Sequence, residues 1–280
     1  MNALDALPES SNKEAFRYVD TTVVRDLLAK DEGLYRAFDD YGFPPFEATY
    51  SQRRPDRDAW GFDETDMFNA VTAVQDPDFS RVAGEFDPEA VKRALKRQGY
   101  RSRSIDGGTR LEKPGEDTVY EVSRSMFIAR DRDQMTPALP PVIPELSLAD
   151  DPAYRTVTRC LGDVYAADYW PKTNKDDVIL LAVGARLGAD GSLSEKACAL
   201  SRSKQAAERT AVELRTLTVE GELYAGAEVV VKDGDLPLVS MTWKNGQDPD
   251  SPSTWGPGTR PGEWSSETDL LKALGWFGGP

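Results

Sequence analysis

Histidine is absent from all 280 residues. That gap excludes Ser-His-Asp triads, Cys-His nucleophiles, His-Glu-x-x-His zinc sites and facial iron triads, since each needs an imidazole as base or ligand. Cysteine is nearly absent as well: Cys160 and Cys198 stand alone, and two thiols without imidazole cannot complete a structural zinc site. No Gly-x-x-x-x-Gly-Lys-Ser/Thr loop, Gly-x-Gly-x-x-Gly turn or Gly-x-Ser-x-Gly elbow occurs, so the common phosphate, dinucleotide and acyl-transfer signatures are missing. No apolar run approaches the roughly 18 residues that carry a helix across a bilayer. The first residues, "MNALDALPESSNKE", have neither the basic nor the apolar region of an export signal. They also fit a mature end from which such a segment has been removed.

What is present is enough for a folded, well-solvated protein. Apolar residues make up 39%, with six Trp, ten Tyr and ten Phe to fill a core, and 29% of residues are charged. Acids outnumber bases by 48 to 34, so the formal charge of -14 disfavours nucleic acid as a partner. The excess is shared between the halves, with 29 acids against 20 bases before residue 151 and 19 against 14 after it. Neither half is a basic module.

Local patterns predict an α+β fold of two mixed halves with mainly antiparallel sheets. In 1–135, "FRYVDTTVVRDLLAKD" reads as a strand entering a helix capped by Thr21 or Thr22, with Val23, Val24, Leu27 and Leu28 on one face. "MFNAVTAV" reads as a buried strand, and "FDPEAVKRALKRQGY" carries full helix punctuation: Asp87 as N-cap, Pro88 at the first position, Gly99 past the end. "RSRSIDGGTRLE" is a hairpin and "TVYEVSRSMFIAR" one long strand. Residues 136–147 place Pro137, Pro140, Pro141 and Pro144 close together and form a linker.

The second half, 148–280, opens with an Asp-Pro helix start whose stripe is Tyr154, Val157, Leu161 and Val164. A hairpin turning at Asp190-Gly191 follows, with Lys196, Cys198 and Leu200 on one face of its second strand. Then come a helix with Ala207, Ala211 and Leu214 inward and a hairpin turning at Asp233-Gly234. A loop over 245–265 and a short helix starting after Ser266 close the chain. Strand, helix and Asp-Gly hairpin recur in that order in both halves, pairing "MFNAVTAV" with "KACALS", the pattern a weak internal duplication would leave.

Without imidazole, catalysis would rest on carboxylates, and a glycosidase-like hydrolase needs two acids across a cleft. Asp63, Glu64 and Asp66, beside Trp60 and Phe62, have that flavour, though acids beside aromatics are expected by chance in so acidic a chain. For calcium, Asp248 and Asp250 or Asp131 and Asp133 lack the alternating ligands and distal Glu of an EF-hand loop and read as turn formers, so no metal or other cofactor is expected. Lys92, Arg93, Lys96, Arg97, Arg101 and Arg103 form a cationic island that suits an acidic partner or a phosphate, or a solvent face balanced by neighbouring carboxylates. Of these, Arg93, Arg97 and Arg101 are the binding candidates. Trp255 and Trp264 in the Pro/Gly-stiffened 245–265 loop offer flat apolar faces to a sugar, a peptide or a protein, unless both rings pin the loop to the core.

If Cys160 flanks the apolar stripe of a helix and Cys198 faces the core from a following strand, helix-on-sheet packing brings them together. The sequence therefore predicts a disulfide, and with it an oxidising compartment; two free buried thiols are the alternative. The segments "NALDALPESS", "DPEAVKRALKRQGYRSRSIDGG" and "SLADDPAYRTVTRCLGDVYAA", in a chain with more Arg than Lys, resemble uncharacterised secreted proteins and lipoproteins of actinobacteria. The resemblance implies a position outside the cytoplasm and transfers no functional residue. Such relatives are anchored through a lipidated N-terminal cysteine that this sequence lacks, so an anchor would have to lie outside it. The expected function is non-enzymatic binding of a protein, peptide or glycan at the cell surface. A carboxylate-based hydrolase and a cytoplasmic acidic inhibitor of immunity type, with free thiols, are the alternatives.

Overall fold

The computed structural model describes residues 15–33, 55–73, 79–132, 147–171, 177–219, 224–244 and 270. The chain divides into two compact units, Met1–Lys30 with Asp39–Leu148 and Asp31–Phe38 with Ala149–Pro280. Of the Pro-rich 136–147 stretch only Ser147 is described, and of the expected C-terminal helix only Leu270, which is helical and buried.

In the first unit, β1 (Phe16–Val19) leads into α1 (Thr21–Lys30), and a short helix α2 (Arg57–Trp60) precedes a 3₁₀ turn, Glu64–Asp66. There follow β2 (Met67–Ala73), β3 (Phe79–Gly84), α3 (Pro88–Arg97), β4 (Arg101–Ile105), β5 (Gly108–Glu112), β6 (Thr118–Val122) and β7 (Met126–Asp131). The strands run in the order β1-β2-β3-β7-β6-β5-β4, with antiparallel neighbours. The meander β4 to β7 thus returns to pair with β3.

One face of this sheet carries Leu111, Tyr120 and Phe127 and is covered by rings. Phe62 lies 4.9 Å from Phe127 and 5.0 Å from Phe86, and Trp60 lies 5.3 Å from Tyr120. Helix α3 turns Val91, Ala94 and Leu95 inward and packs on β4 and β5. Its contact with α2 is close enough to require glycine. Gly61 has φ of 80°, and a Cβ there would stand 2.5 Å from the backbone of Ala90.

Two expectations for this unit change. Asp20, not Thr21 or Thr22, caps α1: its carboxylate accepts from Val23 N at 3.0 Å, while Thr21 is the first helical residue and fully buried. The single long strand read over 118–130 is a hairpin. Ser123 N donates to Met126 O at 2.8 Å, and the carbonyls of Arg124 and Ser125 accept from Phe86 N and Gly84 N, so the turn is held by the chain leaving β3.

In the second unit, α4 (Pro152–Leu161) precedes β8 (Ala166–Pro171), β9 (Val178–Leu187) and β10 (Leu193–Ser201). Helix α5 (Lys204–Thr216), β11 (Glu228–Lys232) and β12 (Leu238–Lys244) complete it. The order is β11-β12-β10-β9-β8, again antiparallel between neighbours. Asp151 caps α4 through Ala153 N at 2.7 Å and Pro152 starts it, while Ser203 caps α5 through Ala206 N at 3.1 Å. Tyr154, Val157, Cys160 and Leu161 form the buried stripe of α4. Val164 does not belong to it: Gly162, at φ of 74°, ends the helix, and Val164 lies in the short connection to β8.

The mixed, mainly antiparallel α+β architecture is present in both units. Each contains a hairpin, a helix and strands that return beside the hairpin's second strand. It is β3, however, and not the β2 segment "MFNAVTAV", that occupies the place of β10. With seven strands against five among the described residues, the structure does not establish an internal duplication.

Candidate functional site

The cationic island lies on α3 and β4 of the first unit. Asp87 accepts from Glu89 N at 2.9 Å, and with three buried positions facing the sheet, Lys92, Arg93, Lys96 and Arg97 must point away from it. Lys92 pairs with Glu89 at 3.1 Å, and Arg93 approaches Asp87 at 3.9 Å with both side chains well exposed. Pairs of this kind hold a surface cation only loosely. Arg97 serves the fold itself. Its Nη2 donates to Asp58 O at 2.6 Å, and Gln98 Nε2 donates to Ala59 O at 2.5 Å, satisfying carbonyls at the end of α2.

Arg101 is exposed and has no side-chain partner among the described residues. Strand alternation turns it away from Tyr100, whose ring lies 5.4 Å from Tyr120 on the face covered by α2 and α3. Arg93 and Arg97 therefore share one helix flank, and Arg101 points to the other side of the sheet.

That other side holds a charged row that does not show in the sequence read alone. The register sets Arg103 opposite Arg110 and Arg110 opposite Glu121. Glu121, 2% exposed, accepts from Arg130 Nη2 at 2.7 Å and has Arg110 Nη1 at 3.5 Å. Glu112 receives Arg110 and, at 3.6 Å, Arg103. On β3, Arg81 Nε contacts Met126 Sδ at 3.0 Å, and burial pushes its guanidinium down from the ordinary value. These residues alternate with apolar ones along separate strands. The signal available was that "TRLE" and "YEVS" carry charge at strand positions that must face inward.

The acids at 63–66 have a local, structural use. Asp63 accepts from Thr65 N at 2.8 Å and Asp66 from Asp63 N at 3.0 Å, a capping box for the 3₁₀ turn. Arg57 bridges both, at 2.5 Å to Asp63 and 3.0 Å to Asp66. Burial raises the Asp63 carboxyl, but the bonds from Thr65 and the Arg57 guanidinium outweigh it and hold the group below its usual range. A general acid needs the opposite shift. Arg25 Nη1 donates to Glu64 O at 2.9 Å, tying α1 to the same turn.

Cys160, in the last turn of α4, and Cys198, at the centre of β10, are disulfide-bonded with Cα atoms 6.2 Å apart. Both are buried, and Cys198 sits opposite Ala182 on β9 and Ser240 on β12. Trp255, Trp264, Asp133, Asp248 and Asp250 lie outside the described residues; Asp131 ends β7 opposite Thr118. Among the described residues no group of three or more acids or thiols is placed to hold a metal ion. No helix among them is long and apolar enough to cross a membrane.

No protein-family model matches the chain, and no curated protein matches it in sequence. The solved structure of TP0453, crystal form I, superposes over 86% of this chain and 92% of its own length, with 13% identity and a TM-score of 0.44. A superposition this loose does not establish a shared topology.

Proposed function

We propose that this chain is a non-enzymatic extracytoplasmic protein that works by contact, binding a protein, peptide or glycan at a cell surface. The observation that carries the reading is the Cys160–Cys198 bond in the core of the second unit. Disulfides of this kind persist in oxidising compartments and are rare where thioredoxin and glutathione act. The reading is also supported by the lack of imidazole and by the commitment of Asp63 and Asp66 to a capped turn rather than to a pair of opposed acids. The residues assigned to contact are the aromatic pair Trp255 and Trp264 and, on the exposed flank of α3, Arg93; Arg97 is held by the Asp58 carbonyl and Arg101 lies on the opposite face of the sheet. A lipid anchor upstream of the given sequence belongs to the same reading.

The test is fractionation of source cells, followed by alkylation of the denatured, unreduced protein. Recovery outside the cytoplasm with no alkylated thiol is expected. Recovery in the cytosol with two alkylated cysteines would refute the reading. For the contact surface, a Trp255→Ala, Trp264→Ala variant should lose binding to intact source cells while melting as the parent does, and unchanged binding would remove those residues from it.

A further inference from the structure

Four cations far apart in the sequence share one face of the second unit's sheet. The register sets Ser194 of β10 directly opposite Arg186 of β9 and Lys244 of β12. Two residues on, Lys196 stands opposite Gly184 and Thr242, and Thr242 in turn faces Glu228 of β11. Alternation keeps Val230 and Lys232 on that face as well. Residues opposite one another lie about 5 Å apart and successive same-face rows about 7 Å, so Arg186, Lys196 and Lys244 crowd together.

The face is covered at one end and open at the other. Cys198, the next same-face residue after Lys196, is bonded to α4, which packs on β9 and β10. Beyond that cover, Arg186, Ser194, Lys196 and Thr242 are half-buried and Glu228 and Lys244 are exposed; Val230 and Lys232 are exposed too, but on β11 they stand level with Cys198 and Leu200. Val164 closes the β9 side, filling the space above Gly184, where a Cβ would stand 2.7 Å from its Cγ1.

Among the described residues this charge is only partly balanced. Arg186, Lys196, Lys232 and Lys244 make no ion pair among the described residues. Glu228 lies within electrostatic reach of Lys196 and Asp190 of Lys244. Even so, burial, followed by the cations of Lys232 and Arg186, pushes the Lys196 ammonium below its ordinary range. The net charge of -14 does not decide what binds here, because at physiological salt fields are screened beyond about 8 Å.

We propose that this face, centred on Lys196 with Arg186 and Lys244 in the adjacent row and the hydroxyls of Ser194 and Thr242 as further donors, binds a dianionic phosphoryl group. Cations in adjacent rows of one face call for more than one negative charge. Ammonium and guanidinium groups beside hydroxyl donors suit an anion with several oxygens better than a single carboxylate. A phosphorylated small molecule and a phosphate-bearing lipid headgroup present the same chemistry. The inference concerns residues separate from the contact surfaces assigned above and does not depend on where the protein resides.

The test titrates the full chain with inorganic phosphate at constant ionic strength. In parallel, the chain is sedimented with phosphatidic acid vesicles and with phosphatidylcholine vesicles as control. Lys196→Gln should weaken phosphate binding about tenfold or more, the usual loss when a charge-assisted contact is removed. Lys92→Gln, on the other unit, should leave it unchanged. Glu228→Gln, which removes an opposing carboxylate, should tighten it, so the inference stays testable even where Lys196→Gln melts early. Binding of phosphate alone identifies a soluble phosphorylated ligand, and Lys196-dependent sedimentation with phosphatidic acid identifies a headgroup. If neither probe shows saturable binding that responds to Lys196 and Glu228, the inference is wrong.

Discussion

Glu121 on β6 and Arg130 on β7 form an ion pair of 2.7 Å with side chains 2% and 6% exposed. Arg110, directly opposite Glu121 on β5, draws on the same carboxylate. Removing the shared anion withdraws the counter-charge from two arginines that are largely out of water. Glu121→Leu should therefore cost about 3–5 kcal/mol, measured by urea unfolding. The double variant Glu121→Leu, Arg130→Met should recover part of that. A single-variant loss under about 1 kcal/mol would show that the pair is not held in a dry environment.

The bond between Cys160 and Cys198 spans a sequence separation of 38. On the chain-entropy model, closing such a loop restricts the unfolded state by about 3–4 kcal/mol. Cys160→Ala, Cys198→Ala should lose that much in urea unfolding, and reductant should shift the midpoint of the parent but not of the variant. Equal midpoints for the parent with and without reductant would contradict a bond.

Acid should weaken the 3₁₀ turn through Asp63. Its folded-state value lies below the unfolded one, so its contribution to stability is present above the unfolded value of about 4 and disappears as pH falls through the folded one. Asp63→Asn removes that component. Stability curves of parent and variant should differ at neutral pH and converge in acid; a gap that persists unchanged at low pH would count against the assignment.

Alkali should act through Tyr18, whose phenol is pushed up to about 12 by burial and by the nearby Asp20 carboxylate. The folded state holds this proton more tightly than the unfolded state. Its contribution is thus complete below the unfolded value of about 10 and is lost as pH rises towards 12. Tyrosinate absorption should show a late-titrating component that Tyr18→Phe abolishes.

Gly61→Ala should be among the more damaging single substitutions in the first unit. It combines a left-handed backbone position with a Cβ 2.5 Å from the Ala90 backbone. A loss of about 1–3 kcal/mol or more is expected in thermal or urea unfolding, and a neutral result would mean that α2 can retreat from α3 at no cost.

Local punctuation made much of the fold legible. Asp87-Pro88 and Asp151-Pro152 start helices, Gly99 and Gly162 end them, and Asp106-Gly107 and Asp190-Gly191 turn hairpins. Cys160 and Cys198 were readable as a pair because helix stripe and strand alternation both pointed them at one core. What was not legible depended on contacts distant in sequence. The break between β6 and β7 is fixed by carbonyls of 124 and 125 meeting the end of β3. The expected stripe over α4 ran on to Val164 because the apolar "VYAADYW" continues it, although Gly162 ends the helix.

The candidate sites show the same division. The basic run around α3 was visible as adjacent letters, yet folding spends Arg97 on the carbonyl of Asp58 and sends Arg101 to the opposite face. Arg186, Lys196 and Lys244 are separated by up to dozens of residues and come together only through the register of β9, β10 and β12. The one hint in the letters was Lys196 at a strand position that shares a face with Cys198 and Leu200.

Strand β4 is the last strand in the order of the first unit's sheet and carries Arg101 and Arg103 on one side. Should a second molecule try to extend that sheet by laying its own β4 alongside, guanidinium would meet guanidinium at close quarters. Such a pairing of β4 with its own copy is thereby disfavoured.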